Sequence, residues 1–188
     1  STKNTNDYYD DQAKTLRRQF LKAPLQFSRI SSRYNPNRRI KYYGYKLKPH
    51  LGTDFAAPKG TPILSTANGT VIASTYNPAN GNYVKIKHNA TYTTQYLHMS
   101  KRKVKKGDFV KQGDVIGYIG MTGNTSGPHV CYRFWKNGKQ VDPLREKLPS
   151  AEPIKESIKD QYLTYIKPIK SALDQIPVPA EEMAMINE

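Results

Sequence analysis

The stretch TPILSTANGTVIAST, residues 61–75, reads as a short apolar run, an Asn68-Gly69 pair and a second apolar run. Apolar, β-branched runs of this length favour strands, and Asn-Gly accepts the two left-handed positions of a type I′ turn, so two strands joined as a tight hairpin are expected. The same punctuation continues downstream. NYVKIKH (82–88) and TYTTQYLHM (91–99) alternate with period two on either side of a short turn at Asn89-Ala90. VKKGDFVKQGDVIGYIG (104–120) is cut into short strands by two Gly-Asp corners, and VCYRFWKNGKQV (130–141) gives another hairpin through Asn137-Gly138. The centre of the chain is therefore expected to be mainly antiparallel β, compact and sandwich- or barrel-like.

The flanks differ. Residues 1–26 form a polar N-terminal extension, in which only LRRQFLKAPL (16–25) offers an apolar pattern, short enough for a strand or one helical turn. FSRISSRYNPNRRIKYYGYKLKP (27–49) mixes basic and aromatic residues around Asn35-Pro36 and is expected to form a twisted surface hairpin. After the main domain, 27–148, a tail at 149–188 places Ile154, Ile158, Tyr162, Tyr165, Ile169 and Ile176 at helical spacings. Pro153 suits a first-turn position, Pro168 is expected to kink or split the helix, and the last residues read as a loose acidic end.

At 188 residues and 37% hydrophobic the chain can bury one core of ordinary domain size. Its formal charge of +15 is unevenly spread, with about +9 in residues 1–50, about +9 in 51–148 and about −3 in the tail. A body this basic attracts polyanions, whether nucleic acid, an anionic membrane or acidic wall polymer. The single cysteine, Cys131, excludes an internal disulfide framework. No apolar run reaches the length of a membrane span. A sequence that starts without Met is expected to be processed or trimmed, with a targeting segment or upstream domains outside it.

The chemistry gathers around few residues. His129 and Cys131 stand at i and i+2 on a strand, so both side chains leave one face. Alone, such a pair is ordinarily a hydrogen-bonded histidine and a small buried hydrophobe. PHLGTDFAAPKGTPI (49–63) adds His50 and Asp54, four apart at the entry to the β region. Imidazole, carboxylate and thiolate are three ligand types that zinc accepts, with a fourth position left for water or substrate. His98 and His129 then remain as free imidazoles able to carry a proton or stabilise an oxyanion. His88 has no such part and reads as a surface residue.

HLGTD, TPILSTANGTVIAS, GNYVKIKH, TQYLHMS, VKKGDFVKQGDVIGYIGMTGNTSGPHV and KNGKQVDPL resemble, in this order, segments of the lysostaphin/LytM-type zinc peptidases that cut bacterial peptidoglycan. The resemblance spans residues 27–148. It implies a LytM-type β domain with one Zn²⁺ held by His50 and Asp54 of the HxxxD motif and by the second position of an HxH motif, with His98 and His129 catalytic. That second position holds Cys131 rather than histidine. A dication with Asp and thiolate sums to about zero charge, so activation of a water is expected to depend more on His98 and His129.

The resemblance further implies a metal-activated water attacking a peptide bond in wall cross-links, and a location in the cell envelope. Tyr43 or Tyr45 is a candidate oxyanion donor. Thr122, Asn124 and Ser126 are candidates for a substrate loop, although they read equally well as turn formers. Lys101, Arg102, Lys103, Lys105 and Lys106 could hold anionic wall polymer or simply be solvated. The competing expectation is a catalytically silent LytM-type protein that binds wall or regulates an amidase. A biotinyl or lipoyl carrier is disfavoured because no Met-flanked lysine stands at a hairpin tip, and a specific nucleic-acid binder because no recognition motif accompanies the charge.

Overall fold

The computed structural model describes residues 9–15, 18–27, 29–39, 41, 44–149 and 154–176. The chain divides into two compact units, Phe20–Leu148 on one hand and the two ends, Ser1–Gln19 with Pro149–Glu188, on the other.

The larger unit is built from ten antiparallel strands: β1 (Arg29–Ser32), β2 (Thr53–Ala56), β3 (Pro62–Leu64), β4 (Gly69–Asn77), β5 (Gly81–Lys87), β6 (Tyr92–Arg102), β7 (Phe109–Val110), β8 (Val115–Ile119), β9 (His129–Lys136) and β10 (Lys139–Val141). They form one mainly antiparallel sheet in the order β1-β2-β9-β6-β5-β4-β7, with β10 on β9 and the β3-β8 pair joined through β6. Period-two alternation sends Val130, Tyr132 and Phe134 of β9 into a core shared with Phe55, Ile63, Val84, Ile86, Tyr96, Met99, Ile116 and Ile119. Full burial of each such side chain contributes about 1.5–3 kcal/mol.

The expected strands are present, but the hairpin at Asn68-Gly69 is not. β3 pairs with β8, and β4 pairs with β5 and β7. Neither Asn68 nor Gly69 adopts the positive φ that a type I′ turn requires. The connection is drawn inward instead by the buried hydroxyls of Tyr96 and Tyr132, which need partners. Thr66 supplies them: its N–H reaches Tyr96 Oη at 3.0 Å, and its Oγ1 lies 2.9 Å from Tyr96 Oη and 3.0 Å from Tyr132 Oη. The Asn137-Gly138 hairpin does form, with φ of 50° and 77° at its two central residues. Both Gly-Asp corners also form, each closed by its carboxylate on a backbone N–H three residues earlier, Asp108 on Lys105 and Asp114 on Lys111.

Residues 27–49 depart from a simple hairpin. β1 pairs with β2, and the intervening chain is pinned by single bridges, Asn35 to His50 and Arg39 to Leu47. Residues 18–27 form neither strand nor helical turn among the described residues, and Phe20 and Leu25 pack into the core.

His88 is not a surface residue. Its ring meets Phe20 edge-on at 5.1 Å, its Nδ1 donates to the Asn68 carbonyl at 2.8 Å, and its Nε2 lies 2.7 Å from Thr94 Oγ1. Burial lowers its pKa from 6.5 to about 4, with the Asn68 carbonyl opposing the shift. Unfolded chains therefore take up a proton between pH 6.5 and about 4 that the folded protein refuses. Stability from this residue is complete above pH 6.5 and is lost as pH falls towards 4, by up to about 3 kcal/mol. Urea unfolding across that window should show this slope, and H88Q should flatten it.

In the smaller unit, α1 (Glu156–Asp174) is an exposed helix. It runs unbroken through Pro168, whose missing N–H removes one bond from a 19-residue helix without splitting it. Tyr162 donates to the Tyr9 carbonyl at 3.0 Å, and Lys170 pairs with Asp174 at 2.7 Å and Asp11 at 3.6 Å. Pro153 and the acidic end lie outside the described residues. No helix among the described residues is long and apolar enough to cross a membrane.

Candidate active site

The β2–β9 ladder sets Asp54 directly opposite Cys131 and Ala56 opposite His129. Alternation turns Phe55 to the core and Asp54 to the opposite face, where Cys131 meets it. His50 arrives from the preceding loop, locked by reciprocal backbone bonds with Asn35 of 2.8 and 2.9 Å. Its Nδ1 lies 3.0 Å from the Arg33 carbonyl, which can only accept, so Nδ1 carries the proton and Nε2 presents a lone pair. That Nε2 lies 3.0 Å from Asp54 Oδ1 and 3.7 Å from Cys131 Sγ. Ligand atoms of His50, Asp54 and Cys131 all fall within 4.8 Å of one another.

Three donor groups converge here, and one cation would satisfy all of them. Imidazole, carboxylate and thiolate suit zinc in particular. Burial raises the Asp54 pKa, but the neighbouring imidazoles, His50 first and then His129, outweigh it and hold the carboxyl below its usual value. Burial, reinforced by the Asp54 charge and opposed by Arg133, pushes the Cys131 thiol up to about 12. Without a cation this sulfur is a thiol, and metal uptake would release its proton.

Gly52 allows the HLGTD loop to close over the sulfur. A Cβ there would stand 2.8 Å from Cys131 Sγ and 3.0 Å from Arg133 Cγ. Gly52→Ala should leave the fold intact and weaken zinc binding by about 10–100-fold, the range for disturbed support of a ligand, as read by competition with a chromogenic chelator.

His98 comes from β6, where one extra residue against β5 makes a bulge. Its φ of 62° is a left-handed conformation unusual for a side-chain-bearing residue. The strained backbone is held by its own N–H on the Asn80 carbonyl at 3.0 Å. Its Nδ1 donates to the Thr122 carbonyl at 2.8 Å, which leaves Nε2 as the acceptor. Burial lowers its pKa, the Thr122 carbonyl opposes this and His129 adds to it, so the ring is held towards the neutral form. His129 is oriented in the same manner: Nδ1 donates to the Gly127 carbonyl at 2.9 Å and lies 3.1 Å from Thr125 Oγ1, while Nε2 is 3.6 Å from Asp54 Oδ1. The two rings are 4.8 Å apart between centroids.

All five of these residues line one cleft of about 760 Å³, together with Asn124 and Ser126. Thr122 does not: its Oγ1 accepts from the Asn82 N–H at 2.9 Å and donates to the Met99 carbonyl at 2.8 Å, so it positions His98 from behind. Tyr45 is exposed and stands outside the cleft lining, with its carbonyl accepting from Arg39 at 3.1 Å. Tyr43 lies outside the described residues. Arg38, Thr125 and Arg133 also line the cleft and escaped the sequence reading. Arg133 was within reach of it, because period two places it on the face of His129 and Cys131.

Residues 48–143 match the model of peptidase family M23. ShyC, a peptidoglycan DD-endopeptidase of Vibrio cholerae, is 44% identical over 164 residues, which cover 87% of this chain and 38% of ShyC. The crystal structure of a zinc-containing peptidase from Vibrio cholerae superposes with a TM-score of 0.68 at 39% identity, covering 76% of this chain and 44% of that one. The catalytic domain of lysostaphin from Staphylococcus simulans gives 0.55 at 28% identity, covering 62% of this chain and 90% of that domain. The chain thus spans about two-fifths of the length of ShyC. With the family model matching half of its residues, including every residue that lines the cleft except Arg38, this chain belongs to peptidase family M23.

Proposed function

We propose that the chain is a zinc-dependent endopeptidase that hydrolyses peptide cross-links of bacterial peptidoglycan. The observation that carries this reading is the convergence of His50, Asp54 and Cys131 below two imidazoles whose Nδ1 atoms are tied to backbone carbonyls. The donor set fits one zinc ion, which when bound would polarise a scissile carbonyl and acidify a water.

The protein's own residues do the rest. His129 Nε2, with its tautomer fixed by Gly127, takes a proton and returns it to the leaving amine. His98 Nε2, on a ring kept neutral by burial, shares that transfer and in protonated form stabilises negative charge on the attacked oxygen. Asn124 and Ser126 border the cleft where the peptide would lie. Lys101, Lys103, Lys105 and Lys106 are exposed beyond the cleft and offer salt-sensitive contacts to anionic wall polymer. The same reading places the protein in the cell envelope.

Its test is digestion of purified sacculi, with products identified by mass. Release of peptide-cleaved muropeptide monomers is expected. A zinc-loaded protein that binds sacculi without generating new fragments would support the silent, wall-binding alternative instead.

A further inference from the structure

We propose that Arg133 determines specificity by binding a free carboxylate on the substrate, within about one residue of the bond that is cut. This rests on the endopeptidase reading. Arg133 lies two positions beyond Cys131 on the same strand face, roughly 7 Å along β9. Its stem packs beside Gly52, and its Nε is buried with no hydrogen-bond partner. A buried donor without an acceptor is costly, and a carboxylate would supply one.

The cleft as a whole fits an anionic ligand. Arg38, Lys48 and Arg133 line it, and Asp54, already engaged with His50, is the only acidic side chain lining it among the described residues. Arg38 is tied through its Nε to the Lys48 carbonyl at 3.0 Å. Arg133 also acts on the Cys131 sulfur, but its Nε is left with no hydrogen-bond partner. A guanidinium matches a carboxylate in two parallel hydrogen bonds, a geometry that neither lysine nor a neutral amide ligand reproduces.

The test uses two synthetic cross-linked peptide dimers that differ only in the residue following the scissile bond, which carries a carboxylate in one and a carboxamide in the other. Calorimetry on zinc-loaded protein should show at least about tenfold tighter binding of the carboxylate form, with KM following and kcat little changed. R133Q should lose this preference while binding the amidated peptide as before and keeping its zinc; R133K should keep part of it. Preference retained in R133Q, equal binding of the two peptides by the unsubstituted protein, or loss of zinc from R133Q would overturn the proposal. The last result would assign Arg133 to the Cys131 sulfur. Preferential binding without cleavage would defeat the endopeptidase reading alone and leave the role of Arg133 standing.

Discussion

Asp54→Ala is expected to yield a folded protein that neither retains zinc nor cuts peptidoglycan. The carboxylate is the centre of the site: His50 Nε2 is 3.0 Å from its Oδ1, His129 Nε2 is 3.6 Å from the same atom, and Cys131 is its cross-strand partner. It points away from the core that Phe55 enters, so truncation opens no cavity among packed apolar groups. The carboxyl is ionised at neutral pH because His50 and His129 outweigh the cost of burial, and its removal takes the negative charge that a dication needs. Metal-assisted polarisation is worth several kcal/mol of barrier, and each 1.36 kcal/mol is tenfold in rate, so hydrolysis should fall by about 10³-fold or more. Asp54→Asn should behave similarly, since it keeps the shape and loses the charge. Elemental analysis of zinc per chain, a thermal melt and muropeptide release from sacculi check the three parts together. Full zinc occupancy in Asp54→Ala would contradict the ligand assignment.

His129→Ala, by contrast, should keep zinc and lose hydrolysis by about 10²–10⁴-fold, the range for a positioned proton-transfer group. Its Nδ1 is spent on Gly127 and Thr125, so only Nε2 can take a proton in the cleft. His98→Ala should fall in the same range, because its ring is equally fixed by Thr122. The double variant should be little worse than either single one, since the rings lie 4.8 Å apart and act as a unit. Fully additive losses would mean that the two histidines work independently. His98 also carries backbone strain, and its φ of 62° makes His98→Gly a useful control: relief of strain should raise stability while activity is still lost.

Local pattern made most strands legible, because apolar alternation and turn residues act over a few positions. The Asn137-Gly138 turn obeyed its dipeptide, whereas Asn68-Gly69 did not, since tyrosine hydroxyls from two distant strands recruit Thr66 and draw the connection inward. That demand cannot be seen within a fifteen-residue window. His88 was misread for a related reason: its partners, Phe20, Asn68 and Thr94, converge only in the folded sheet. That His50, Asp54 and Cys131 carry donor groups of the types zinc accepts was readable from residue type, and the β2–β9 register is what brings the second and third together. Arg133 was missed although strand alternation alone puts it beside Cys131. Thr122 belongs to the site through a backbone carbonyl, which no side-chain motif announces.

On the proposed function Cys131, the single cysteine, is a metal ligand and not a buried hydrophobe that happens to lie nearby. Cobalt(II) substituted for zinc reports this directly, because a thiolate bound to cobalt gives an intense near-ultraviolet charge-transfer band that nitrogen and oxygen ligands do not. The band is expected in the cobalt-loaded protein at one cobalt per chain and should vanish in Cys131→Ser. A protein that binds one cobalt at His50 and Asp54 without that band would remove Cys131 from the metal site.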